Sequence, residues 1–274
     1  MRGVHQRIGM MVGMLCVGMA ASAWAASVGL PEGSSDHPVA VTVEYTQLLG
    51  RDLRAPTGET ADISMGHQGH ARLSYALLDA LQPYVKLGAA EFDQAFHNTN
   101  VVGLGRRNID LDYDWGFSWG AGVSGLYYLD RYPVNPSTGF FIGYAGEYLT
   151  SSNELGAASM SGAKATRVAG RARFEEWYGA GFGGYTWELD GAGETPWKLT
   201  AYAGGRYSDL RVTYKGLEFT VPAGTISNEG HERGKDRAGV FVGLAAQAGD
   251  HWRVNVEGRF IDEEAVTARA TAKF

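Results

Sequence analysis

At 274 residues, with 45% hydrophobic and 20% charged side chains, the chain is neither disordered nor collagen-like. A formal net charge of −6 argues against a general nucleic-acid binder, whose surface is basic. Glycine is the outlier: its 39 residues are roughly twice the usual ~7% share, while 8 prolines are too few for a low-complexity tract.

The chain starts with an address. Arg2, His5 and Arg7 form a basic start, Ile8 to Ala20 is uncharged and apolar, and small residues stand at Ala23 and Ala25. That layout predicts a secretory signal peptide over residues 1–25. Cys16 is the only cysteine and lies within it, so the rest of the chain has no disulfide to staple it. Residues 26–38 read as a periplasmic N-terminal segment and 39–274 as one domain. No later stretch approaches the roughly 18 uncharged apolar residues of a spanning helix.

From Val41 onward, apolar and polar residues alternate with period two, the mark of strands with unlike faces. In chain order, one apolar face carries Val41, Val43 and Tyr45, the next Ala71, Leu73, Tyr75 and Leu77, and the next Val85, Leu87 and Ala89. Phe117, Trp119, Ala121, Val123 and Tyr127 follow, then Phe140, Ile142, Tyr144 and Tyr148. A bulge at Gly183-Gly184 would place Tyr178, Ala180, Phe182, Tyr185 and Trp187 on one face. Then come Leu199, Ala201, Ala203 and Tyr207, and Val240, Val242, Leu244 and Ala246. Trp252, Val254, Val256 and Phe260 precede a last face of Val266, Ala268, Ala270, Ala272 and Phe274. The pattern predicts ten strands, or twelve if Leu210–Tyr214 and Leu217–Val221 form an extra hairpin.

The expected connections alternate in length. Short turns fall near 79–82, 130–138, 190–196 and 249–251, long polar loops near 50–67, 97–110, 151–171 and 216–235, and a brief last connection at Asp262–Glu264. The polar face is rich in Gly, Ser and Thr rather than Lys and Glu. These features predict an all-β fold, a transmembrane antiparallel up-and-down β-barrel of the cell outer membrane with both termini periplasmic. Tyr84, Tyr127, Phe140, Trp187, Trp197, Trp252 and Phe274 flank the short turns and are expected to form an interfacial girdle. A soluble sandwich or lipocalin-like barrel, apolar inside, is the competing architecture.

Parity places Glu44, Arg72, Lys86, Glu147, Arg206, Arg253, Glu257, Arg259 and Arg269 on the lumen, joined by Lys198, Lys273 and Glu188. That set holds eight basic residues against four acidic ones. It describes either a salt-bridge network that plugs the barrel or a narrow pore whose positive excess favours anions. Ten strands enclose little more than a filled eight-strand barrel, so a plugged or barely conducting lumen is expected.

The signal peptide, the Gly-rich alternating strands and the last strand Ala265–Phe274 together resemble bacterial outer-membrane β-barrel proteins. The stretch Val43–Leu53 with Ala71–Phe92 is similar to small, functionally uncharacterised barrels of Gram-negative bacteria. The resemblance implies an outer-membrane location, contact with lipid and lipopolysaccharide, and recognition of the terminal Phe274 by the barrel assembly machinery. It implies no catalytic residue. No nucleic-acid partner is expected, and the barrel is read as a monomer. Arg167–Arg173 would suit lipopolysaccharide phosphates.

One acidic cluster invites chemistry. Asp110, Asp112 and Asp114 alternate along a strand and by simple parity point inward at its upper end, near His67, His70 and His97. Such a mouth could hold a hard cation such as Ca2+ or activate water in the manner of the ten-stranded omptin proteases. The omptin constellation does not match this chain residue by residue. There is no G-x-S-x-G, P-loop, HExxH, CxxC or Rossmann fingerprint, and no cofactor is expected. The expected function is therefore a non-enzymatic barrel with a narrow pore-like or structural surface role. The alternative is a barrel-embedded hydrolase, an omptin-like protease or a lipid-modifying enzyme.

Overall fold

A computed structural model describes residues 28–32, 36–54, 60–78, 80–101, 104–129, 138–189 and 196–274. The expected signal peptide, residues 1–25, lies outside the described residues. Strands dominate: β1 (Val39–Arg54), β2 (Thr60–Tyr75), β3 (Gln82–Val101), β4 (Gly105–Tyr128), β5 (Gly139–Met160) and the two-residue β6 (Ala163–Lys164). Then come β7 (Arg167–Leu189), β8 (Trp197–Val221), β9 (Gly224–Gly234), β10 (Ala238–Ala248), β11 (Trp252–Phe260) and β12 (Glu264–Lys273). All pairings are antiparallel. The ring runs β1-β2-β3-β4-β5-β7-β8-β10-β11-β12 and closes where β12 pairs β1. The ring therefore has ten strands, as the alternation predicts. Closure pairs the backbone groups of neighbouring strands all round, the condition for crossing lipid with strands.

The lower part of the ring faces outward with apolar side chains. Val43, Leu73, Leu87, Phe117, Ile142, Leu244 and Val256 are all exposed there, while Thr42, Glu44, Arg72, Lys86 and Glu257 on the alternate positions are buried inside. Trp177 and Trp187 both face outward on β7, ten residues apart. At about 3.3 Å per residue and a tilt near 40°, they stand about 25 Å apart along the barrel axis, the height of an outer-membrane apolar band. Phe274 is exposed at the short-turn end. This outer face makes the chain an outer-membrane β-barrel, with the short turns and the C-terminus at the same end.

The upper part differs from expectation. Most residues read as long loops are strand: β1 and β2 reach Arg54 and Thr60, β3 and β4 reach Val101 and Gly105, and β7 starts at Arg167. β8 spans 25 residues; its lower half pairs β10 and its upper half pairs β9, which touches β1 at Leu53 and Arg54. A cylinder thus rises above the membrane with β9 standing where β10, β11 and β12 have ended. Its burial is inverted. Leu48, Leu53, Ile63, Phe92, Leu111, Phe174, Val212 and Phe219 fill the inside, and polar residues face water.

In three strands the inversion has a local cause, while in β3, β7 and β8 the inward face itself changes from charged to apolar along the strand. β1 is irregular between Leu48 and Gly50, β2 between Ile63 and Met65, and β4 between Tyr113 and Phe117. Each irregularity inserts residues and moves the following side chains to the opposite face. Conversely, β7 pairs without interruption through Gly183-Gly184, so the expected bulge does not exist. Tyr178 and Phe182 face the lumen, not lipid. Tyr84 is likewise buried inside rather than set in the girdle.

Replacing Leu244, exposed midway up the belt, by Arg is expected to cost about 2–4 kcal/mol, while Asp110→Arg above the belt stays within about 0.5 kcal/mol. Equilibrium urea unfolding in lipid vesicles measures both.

Candidate functional site

The candidate site is the lumen, where most of the charges predicted to line it are gathered; of the twelve, Glu188 is exposed and Lys198 only partly buried. Glu44, Arg72, Lys86, Glu147, Arg206, Glu257, Arg259 and Arg269 are buried, and Arg253 is half-buried beside them. They pair in two layers.

In the lower layer, Glu44 of β1 accepts from Lys86 of β3 at 2.9 Å and from Arg269 of β12 at 3.1 Å. Lys86 reaches on to Glu147 of β5 at 2.6 Å, and the Tyr84 hydroxyl donates to the same carboxylate at 2.9 Å. Arg72 stacks on the Tyr84 ring at 3.4 Å, where its cation faces the negative face of the ring. In the upper layer, Arg206 of β8 meets Glu176 of β7 at 2.8 Å, Asp262 at 3.1 Å and Glu263 at 2.5 Å. Arg51 of β1 reaches Glu176 at 2.7 Å and Glu263 at 3.0 Å. β1 and β7 are five places apart in the ring of ten, so Arg51–Glu176 spans the barrel.

Sequence reasoning missed half of this. Arg51 and Asp262–Glu263 fell in expected connections, Glu176 sat on a strand read in the wrong phase, and Glu32 lay in the segment assigned to the periplasm. With them, eight carboxylates are buried among the described residues: Glu32, Glu44, Glu147, Glu176, Glu232, Glu257, Asp262 and Glu263. Seven cations are buried with them, and Arg253 makes an eighth at partial burial. Glu232 stands apart in the upper cylinder against Gln94 and Tyr214, so seven carboxylates face eight cations in the lumen; the expected two-to-one positive excess is gone, and with it the electrostatic argument for anion selectivity. Within the segment 26–38, Val28, Leu30 and Glu32 are buried inside the ring.

The acidic cluster turns out to face the other way. Asp110, Asp112 and Asp114 are exposed on the outer wall above the belt, because the irregularity between Tyr113 and Phe117 flips the parity that pointed them inward. Asp112 sits opposite Asp93 of β3. Partial burial, and then neighbouring carboxylates, push both acids up from the usual carboxylate range. His97 faces outward against Asp62, and His67 lies 3.2 Å from Glu91. Among the described residues, no three metal-ligating side chains come together.

One arrangement resembles a nucleophile–base–acid chain. His70 Nε2 is 2.9 Å from Ser118 Oγ, and His70 Nδ1 is 3.7 Å from Glu44 Oε1. The chemistry does not follow from the geometry. All three residues are buried, Ser118 also donates to the Thr150 carbonyl at 3.2 Å, and Glu44 is held by two cations. A nucleophile needs substrate against it, and a chain sealed by its own partners offers no such access.

Comparisons with known proteins give architecture. No family model matches the sequence, and no curated protein matches it. Solved structures match at low identity. The translocator domain of autotransporter NalP from Neisseria meningitidis is 12% identical, covers 98% of this chain and 95% of its own, and has a TM-score of 0.43. The outer membrane protease OmpT from Escherichia coli is 11% identical over 91% and 99%, with a TM-score of 0.47. The Ralstonia pickettii toluene transporter TbuX is 10% identical over 87% and 90%, with a TM-score of 0.34.

Arg206→Met leaves Glu176, Asp262 and Glu263 buried without their shared cation. It is expected to cost about 3–5 kcal/mol, whereas Arg173→Ala on the exposed outer wall costs at most about 0.5 kcal/mol. Urea titration of detergent-folded protein, read by heat-modifiable gel mobility, checks the contrast.

Proposed function

We propose that the protein is a non-enzymatic outer-membrane barrel with a closed lumen, acting as a structural and surface element rather than as a pore. The observation that carries this reading is the Arg51–Glu176 pair, which bridges opposite walls of the barrel in one layer with Arg206, Asp262 and Glu263. Two further features support it. Below that level, ion pairs and the segment Val28–Glu32 occupy the interior. Above it, the cylinder is packed with apolar side chains, Phe92, Phe174 and Phe219 among them. A polar solute would have to cross both an interlocked ionic layer and a dry apolar one. Each is costly for it, the first in broken pairs and the second in lost hydration.

The tall cylinder is then the working part. Its outer wall carries Arg167, Arg171 and Arg173 on β7 and the acids of β3 and β4, all above the lipid belt. Such a surface suits contact with lipopolysaccharide headgroups, whose phosphates pair well with guanidinium groups.

Reconstitution in planar bilayers tests the closed lumen. The expected record is silent at all voltages below bilayer breakdown. Steady openings whose conductance scales with salt would contradict it.

A further inference from the structure

The segment Val28–Glu32 belongs to no strand, yet it is held inside the ring at both ends. Its deep end meets Glu257 of β11, whose carboxylate accepts the N–H of Val28 at 3.0 Å and of Gly29 at 2.9 Å. Its outer end meets the wall four places away in the ring. Gln82, at the start of β3, accepts the N–H of Glu32 at 2.8 Å, and Ser74 of β2 donates to the Glu32 carboxylate at 3.0 Å. Arg72 lies 3.4 Å from the same carboxylate, and Arg253 donates to the Pro31 carbonyl at 2.6 Å.

Each part of the segment has its own counterpart. Two successive backbone N–H groups converge on one buried carboxylate, which recognises backbone rather than side chain, with charge-assisted bonds. Gly29 has φ +51°, a left-handed conformation that favours glycine, and a Cβ there would have to displace the Arg269 guanidinium. Val28 and Leu30 join the aromatic side of the lumen formed by Phe141, Phe182, Tyr202 and Phe241. Gly243 leaves room for the Tyr202 ring, whose hydroxyl donates to the same Glu257 carboxylate at 3.0 Å. A tail that merely trailed from β1 would need none of these.

We propose that the periplasm-facing half of the lumen is a peptide-binding site, selective for a short segment with apolar, glycine, apolar, proline and carboxylate positions in that order and a turn at the glycine, and that residues 28–32 fill it in cis. Glu257 reads the backbone, the left-handed turn at Gly29 beside the Arg269 guanidinium favours glycine, and Arg72 with Ser74 reads the Glu32 side-chain carboxylate. The inference goes beyond closure of the barrel. The apolar cylinder above would keep the protein silent in a bilayer even with this site vacated, so conductance does not report on it.

Amide hydrogen exchange on the full chain in detergent micelles tests the proposal. Val28 and Gly29 are expected to exchange slowly, and about ten-fold or more faster in Glu257→Gln, while β4 amides are unchanged. Free-peptide exchange rates in the unmodified protein, or equal protection in both proteins, would overturn it. A second arm uses the full-length Gly29→Leu variant, which expels its own segment. A fluorescent heptapeptide Ala-Ser-Val-Gly-Leu-Pro-Glu is expected to bind this variant saturably. The same peptide with Leu in place of Gly is expected to bind at least about ten-fold more weakly. No binding, or equal binding of the two peptides, would count against a sequence-selective site.

Discussion

A charge inside a narrow barrel has neither bulk water nor lipid to stabilise it, so it must find its partner within the ring. This constraint organises the membrane-spanning half of the protein. Glu44, Lys86 and Glu147 form a chain across β1, β3 and β5, and Arg206 gathers three carboxylates. Pairing by itself is weak evidence of stability, because desolvating each ion costs several kcal/mol. Its effect is on specificity. An unmatched register would strand a charge in the interior, so the pairs select one register and one interior arrangement. They also bring the total close to balance, because strand connections and the N-terminal segment contribute carboxylates that the strands alone lack.

The same constraint sets where the ionic interior stops. Above the belt the outer wall meets water, so polar residues belong outside and the cylinder can close over an ordinary apolar core. The chain passes between the two regimes by local irregularities in β1, β2 and β4. The polar residues buried in that core are few and clustered: Gln94 donates to Glu232 at 2.9 Å, and the Tyr214 hydroxyl donates to the same carboxylate at 3.0 Å. The closed lumen of the proposed function is thus two different seals in series, one ionic and one apolar.

Much of this was legible in the sequence, and the failures have specific causes. Alternation alone revealed the ring of ten strands, the lipid belt and the nine predicted lumen charges, because a two-residue period survives wherever a strand runs straight. It failed where the strand does not. Asp110, Asp112 and Asp114 were misplaced because a few extra residues before Phe117 invert every side chain beyond them. Polar tracts such as 97–110 were read as loops because they lack lipid-facing side chains, although strands in water need none. Tyr178 and Phe182 misled for another reason. A lumen with an aromatic wall puts bulky rings on the inner face, and the outer face there is Gly179, Gly181 and Gly183. Glu32 and Asp262–Glu263 could not be seen at all, since their role depends on a turn or tail folding inward.

The central claim, that the barrel is closed by ion pairs across its own interior, is tested most directly by a double-mutant cycle between Arg51 and Glu176. Arg51→Met, Glu176→Gln and the combined variant would be unfolded in urea from detergent micelles. Direct contact at 2.7 Å predicts a coupling energy of about 1–3 kcal/mol. Costs that add within about 0.5 kcal/mol would mean that the two side chains do not meet, and the ionic bridge across the barrel would then be absent.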